Sequence, residues 1–162
     1  MKKISKTIIA SFIVTFAGAI LLCSLTKWVA AMFGIELHDQ NSLALLKSLH
    51  GWRLYLFIAY ALIIAPVGEE LVFRGLLFRL PAHFIKFKTS KIFFAIVSSV
   101  LFVAAHYGKI NPFPDNAFIA LFYFAIIQCA LYDMTKRIWY PMMNHILFNL
   151  ANLAFAVTTL DA

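Results

Sequence analysis

Long apolar runs separated by short polar connectors set the pattern of this chain. Five runs can be traced, Ile8–Phe33, Leu54–Leu80, Ile92–His106, Ala117–Tyr132 and Ile138–Val157. A helix that crosses the hydrocarbon core of a bilayer needs about 20 mostly apolar residues. No run alternates apolar and polar positions over enough length for a barrel strand. The pattern predicts an all-α, polytopic transmembrane helix bundle of about five membrane segments, with residues 1–162 forming a single integral membrane domain. Gly34–Gly51 and Tyr107–Asn116 read as connectors, and Asn111-Pro112-Phe113-Pro114-Asp115 as a helix stop. Pro66, Gly68 and Gly75 interrupt the second run. The first run follows Lys2, Lys3 and Lys6, as the apolar region of a signal peptide would. It is longer than such a region, so an uncleaved anchor is expected.

Composition agrees with a bilayer as the solvent. The chain is 63% hydrophobic and 16% aromatic, with 13% charged residues, whereas a water-soluble domain is usually about half apolar or less. The net charge of +7 would suggest nucleic acid in a soluble protein. Here the basic residues gather at the ends of apolar runs, which fits topology and anionic lipid headgroups, and no nucleic-acid partner is expected. Cys23 and Cys129 lie far apart inside apolar runs, without metal-ligand spacing.

Charge asymmetry orients the bundle. Lys2, Lys3, Lys6, Arg74, Arg79, Lys86, Lys88, Lys91, Lys136 and Arg137 fall on one side, ten of the 14 basic residues. Lys27, Lys47, Arg53 and Lys109 fall on or near the other, beside Glu36, Asp39 and Asp115. The N-terminus is therefore expected in the cytoplasm and, with five spans, the C-terminus outside. Trp28, Trp52 and Trp139 sit near span ends, as interfacial aromatics do.

Within the apolar runs lie residues that do not belong there on solubility grounds. Glu69 and Glu70 are adjacent acids inside the second run, in APVGEELVFRGLLFRL. An acid at membrane depth costs a few kcal/mol or more and is kept for a function. Phe102 and His106 follow in the third run, and His145 and Asn149 in the fifth. At a rise of about 1.5 Å per residue, Glu69 lies about 15 Å in from Arg79, His145 about 12 Å and Asn149 about 18 Å in from Arg137, and His106 about 22 Å in from Lys91. The depths agree except for His106. Residues four apart share a helix face, so Glu70 and Arg74 stack and can pair, while Glu69 points about 100° away. His145, Asn149 and Asn152 form a polar stripe, and Phe102 stacks one turn before His106, where it walls the site.

Peptide hydrolysis needs these kinds of group: an activated water and a stabilised oxyanion. A desolvated carboxylate can serve as a general base and a neutral His can hold the same water. A second His and an Asn amide can donate to the oxyanion. Two His and a Glu can instead bind zinc with an open position, and Glu69, His106 and His145 are the residues that would do so. The suitability of Asn149 as an oxyanion donor favours the metal-free site, with no cofactor. The H-E-x-x-H helix, the G-x-S-x-G elbow and an intramembrane G-x-G-D motif are absent. Each piece has a blander reading. Glu-Glu-x-x-x-Arg is common on solvated helix faces, His106 alone reads as a core or interfacial histidine, and His145 with Asn149 as interhelical hydrogen-bonding glue. All three on separate apolar runs are harder to explain that way. His38, His50 and His83 fall in connectors and receive no role.

The strings EELVFRGLLF, SSVLFVAAH and WYPMMNHILFN resemble the three signature motifs E-E-x-x-x-R, F-x-x-x-H and H-x-x-x-N of the CPBP family, the CAAX prenyl endoproteases and bacteriocin-processing intramembrane proteases, also called Abi proteins. The resemblance covers about residues 60–155, which would be the family-like catalytic core. It implies an intramembrane endopeptidase cleaving a membrane-associated peptide or protein. Glu69 and His106 would activate the water, His145 and Asn149 would hold the oxyanion, and Glu70 and Arg74 would support the site. The family was long called metalloproteases, while its eukaryotic prenyl-processing branch resembles glutamate-dependent proteases. Members usually carry more helices than the one span found here before the first motif, so a homodimer is the expected assembly.

Two classes of function stay open on these residues. One is the peptidase. The other is a non-catalytic membrane partner, or a bacteriocin self-immunity protein, acting by binding. The intact set of four polar residues favours the peptidase. An ion-coupled transporter is disfavoured by the few spans and the lack of repeats. Short Lys-capped spans point to a bacterial plasma membrane.

Overall fold

The computed structural model describes residues 2–37, 48–85, 87–107, 115 and 117–160. The described residues form five long helices and no strand: α1 (Lys2–Met32), α2 (Trp52–Phe84), α3 (Ser90–His106), α4 (Phe118–Thr135) and α5 (Trp139–Leu160). Each expected apolar run falls on one of them. The parts of the sequence reading that concern His38, Asp39, Lys47, Lys86, Lys109 and Asn111–Pro114 lie outside the described residues.

The bundle buries polar side chains among aromatic ones and is apolar outside. Its largest fully buried side chains include Arg74, Glu70, Gln128 and Asn144, while Leu21, Trp28, Met32, Ile63 and Ile64 are exposed. That inversion is what a lipid solvent asks for, since association there rests on packing and interhelical hydrogen bonds rather than on expulsion of water. From Lys6, α1 is long and apolar enough to cross a membrane, as are α2 and α4; α3 is shorter. The 22 residues of α5 include Asn144, His145, Asn149 and Asn152, which lower its hydropathy.

α4 is the central post, with α1, α3 and α5 packed around it. The face that α1 turns inward is small: Thr15, Ala19, Thr26 and Ala30 are buried. Gly18 lies against the Tyr123 ring, whose hydroxyl donates to the Val14 carbonyl at 3.0 Å. A buried amide network ties three helices together. Gln128 donates to the Pro141 carbonyl (3.0 Å), Asn144 donates to Gln128 Oε1 (2.8 Å) and Thr15 Oγ1 (3.1 Å), and Ser11 donates to Asn144 Oδ1 (3.4 Å).

α2 is not a plain α-helix. It widens into π turns at Tyr60–Ile64 and again at Glu70–Arg79, with α-helical turns before, between and after. Such widened turns are rare and gather at functional sites. The second one packs along α3, and the Ser98 hydroxyl donates to the Phe73 carbonyl at 2.6 Å.

One end of the bundle is fastened by Asp133. Its carboxylate meets Arg79 (3.4 Å), Lys91 (3.1 Å) and Lys136 (2.5 Å). The end of α2, the start of α3 and the end of α4 therefore share one side, as the charge pattern requires. Arg74 does not belong to that group. It is fully buried, so its charge serves the interior rather than the interface. At the His106 end, the buried Asp115 accepts from the Tyr107 hydroxyl (2.6 Å) and from the Ala117 N–H (2.9 Å). Burial, and then that bond, push the phenol above its ordinary pKa.

Candidate active site

Three helices bring the polar residues to one place. α2 carries Glu69 and Glu70, α3 carries His106 and α5 carries His145. Glu69 Oε2 lies 3.9 Å from His106 Nε2 and 3.8 Å from His145 Nε2. That oxygen is shielded from solvent and has no hydrogen-bond partner, although the Glu69 side chain as a whole is 28% exposed. The side chain thus sits at a mouth with its inner oxygen facing the histidines.

Hydrogen bonds on the far side of each ring fix Nε2 as the nitrogen that faces Glu69. His106 Nδ1 lies 2.8 Å from the Phe102 carbonyl, which can only accept, so Nδ1 carries the hydrogen. His145 Nδ1 lies 2.9 Å from Glu70 Oε1 and donates to it in the same way. A neutral ring then presents an Nε2 lone pair toward Glu69, and a protonated ring an Nε2–H. Glu69 Oε2 and a neutral His106 offer two acceptors at one point, which suits a donor such as water.

The spacing can be compared with both kinds of guest. Two acceptors each about 2.8 Å from one water stand roughly 4.5 Å apart when its angle is near tetrahedral. Zinc ligands at ~2.0–2.1 Å in a tetrahedron stand only ~3.3 Å apart. The two gaps from Glu69 to the histidines, 3.9 and 3.8 Å, lie between these spacings, and among the described residues no group of three His, Cys, Asp or Glu side chains is disposed to hold a metal ion.

Behind this pocket lies a second, fully buried layer. Arg74 Nε stands 3.1 Å from Glu70 Oε2, with both side chains at 0% exposure. The contact is an ion pair by distance but is not aligned as a hydrogen bond. The guanidinium lies over the Phe102 ring at 4.4 Å, with Phe124 at 5.9 Å and Phe73 at 6.0 Å, and donates to the Ala125 carbonyl at 3.5 Å. Cation–π contact with desolvated rings is worth up to about 2 kcal/mol, which offsets part of the desolvation of the charge. Phe102 also lies against His106, with ring centroids 4.4 Å apart and planes tilted by 40°, so one ring touches both the cation and the histidine. Phe124 packs edge-on against His145 at 4.8 Å.

Asn149 stands apart from this cluster in its bonding. Its amide donates to the Ala61 carbonyl at 2.8 Å, tying α5 to the first π turn of α2. Asn152, expected on the same stripe, is exposed. The Glu70–His145 bond and the Gln128–Asn144 network were not read from the sequence. Gln128 and Asn144 carried a usable signal, being uncharged polar residues inside apolar runs. The Glu70–His145 contact carried none, since it depends on how two helices face each other.

Residues 51–151 match the family model for the Type II CAAX prenyl endopeptidase Rce1-like proteins. The chain is also 30% identical, over 118 residues, to the protein of Bacillus subtilis (strain 168) named "Putative membrane peptidase YdiL". That alignment covers 73% of this chain and 43% of the relative, so the chain spans less than half the length of the curated protein it matches. No solved structure matches it. The chain belongs to the Rce1-like CAAX prenyl endopeptidase family.

Proposed function

We propose that this member of the Rce1-like family is an intramembrane endopeptidase that hydrolyses a peptide bond of a membrane-associated peptide or protein, without a metal. The observation that carries the reading is the unpartnered Glu69 oxygen set 3.8 and 3.9 Å from two histidine Nε2 atoms. A water held there donates its hydrogens to Glu69 and His106. Its oxygen attacks the scissile carbonyl carbon as the proton passes to Glu69. The carbonyl oxygen becomes the oxyanion and takes a hydrogen bond from His145 in its protonated form, and the second amide hydrogen of Asn149 is a further donor for it. Collapse of the intermediate breaks the C–N bond, and the proton on Glu69 leaves with the amine. Glu70 supports the reaction by holding His145 Nδ1, and Arg74 holds Glu70 in turn.

The substrate class, the bacterial plasma membrane with a cytoplasmic N-terminus, and a homodimer as the working assembly belong to the same reading. The test is cleavage-site mapping in cells making equal amounts of the wild-type chain and of Glu69→Gln. Membrane peptides whose cut ends disappear in the variant support the peptidase. Identical peptide ends in both would favour a partner that acts by binding.

A further inference from the structure

Asn149 is joined to Ala61, and the reason lies in Pro66. In the first π turn of α2 the Ala65 N–H bonds the Tyr60 carbonyl, five residues back. The next donor in that register would be residue 66, and its acceptor the Ala61 carbonyl. Residue 66 is proline and has no N–H. The Ala61 carbonyl is thereby left without its helical donor, in a bundle whose outer solvent is lipid and supplies none. Asn149 Nδ2 stands 2.8 Å from that oxygen.

We infer that Asn149 stands in for the hydrogen that Pro66 lacks, and that this bond latches α5 to the π turn of α2 just before the turn that presents Glu69. Glu69 is three residues after Pro66 on the α-helical turn Ala65–Glu69, which leads directly into the second π turn. On α5, Asn149 is one turn beyond His145. The latch therefore spans the two helices whose facing side chains, Glu69 and His145, stand 3.8 Å apart. Asn149 is on this account a positioning residue. An amide nitrogen carries two hydrogens, so the latch leaves one free for the oxyanion. The positioning part rests on the proposed peptidase reading; the latch does not.

A residue other than proline at 66 restores the missing N–H, so the idea can be tested by rescue. Asn149→Ala, Pro66→Ala, Pro66→Leu and the two double variants are purified in detergent, and thermal unfolding is followed without reference to activity. Asn149→Ala in the wild-type background should lower Tm by several degrees, since a part-buried acceptor loses its partner where lipid supplies no other. In either Pro66 background the same substitution should lower it by less than half as much. Two Pro66 replacements are used so that one poorly inserted variant does not decide the result. Equal losses with and without proline would overturn the latch. For turnover, Asn149→Ala should lower kcat with KM little changed, and Pro66→Ala should return at least tenfold of the lost kcat. The loss that persists should be that of one oxyanion donor, about 10²–10³. Recovery of Tm with no recovery of kcat would overturn the positioning role. If the wild-type chain cleaves nothing, the peptidase reading fails, and the Tm comparison still decides the latch.

Discussion

Removing the charge of Glu70 should unfold the protein far more readily than removing that of its neighbour Glu69, although the substitutions are chemically the same. Glu70 and Arg74 have no exposed side-chain surface. Arginine cannot shed its proton, so Glu70→Gln leaves a guanidinium buried without its counter-charge. Breaking a buried pair from one side costs about 3–5 kcal/mol. The stacking of Arg74 on Phe102 and its bond to the Ala125 carbonyl survive the change, which argues for the lower end, about 3 kcal/mol. For a chain of this size each kcal/mol moves Tm by roughly 2–4 °C, so a fall of about 6–12 °C is expected. Glu69 offers a contrast. Its inner oxygen has no hydrogen bond to lose and the side chain is partly exposed, so Glu69→Gln should stay within about 1 kcal/mol of wild type while losing cleavage. A double variant, Glu70→Gln with Arg74→Met, should be less destabilised than Glu70→Gln alone, because the orphaned charge is gone. Unfolding in detergent micelles, with cleavage measured on the same preparations, gives both quantities. Glu69→Gln and Glu70→Gln melting together, or full turnover in Glu69→Gln, would refute the division of the two acids into a reacting group and a structural one.

Exhaustive chelation of the purified protein should leave cleavage unchanged. Stoichiometric zinc whose removal and return switch activity off and on would refute the metal-free site. Single cysteines at Ser5 and Thr89 should react with a membrane-impermeant thiol reagent from the cytoplasmic side, and one at Thr158 from the opposite side, in a background lacking Cys23 and Cys129. Labelling of Thr158→Cys from the cytoplasm alone would overturn the orientation. Gly18→Ala should destabilise the bundle, against the usual gain of about 1 kcal/mol for alanine over glycine in a helix. The added Cβ would stand 2.5 Å from the Tyr123 ring, and moving that ring gives up its bond to the Val14 carbonyl; a higher melting temperature would contradict this.

The helices were legible in the sequence because a bilayer admits few alternatives. A chain that crosses lipid must satisfy its backbone internally, so apolar run length alone located α1 to α5. Depth counting placed His106 about 7 Å deeper than Glu69, yet the two side chains stand 3.9 Å apart. The difference lies in the direction of side chains. On any helix they lean toward its own N-terminus. α2 and α3 run in opposite senses through the bundle, since the end of one and the start of the other meet at Asp133. Glu69 therefore leans deeper and His106 leans back, far enough for its Nδ1 to reach the Phe102 carbonyl one turn behind it. Counting along the axis ignores both tilts, and they act in the direction that closes the gap. The π turns of α2 were not legible at all, because periodicity had been read at 3.6 residues per turn. Their one trace in the sequence is Pro66, which reads as a kink in an ordinary helix. With Asn149 opposite, it is instead the point where a widened turn gives up a carbonyl to a neighbouring helix. A proline and a polar residue on two apolar runs, each hard to explain alone, are complementary once the hydrogen that one lacks is matched to the hydrogen that the other supplies.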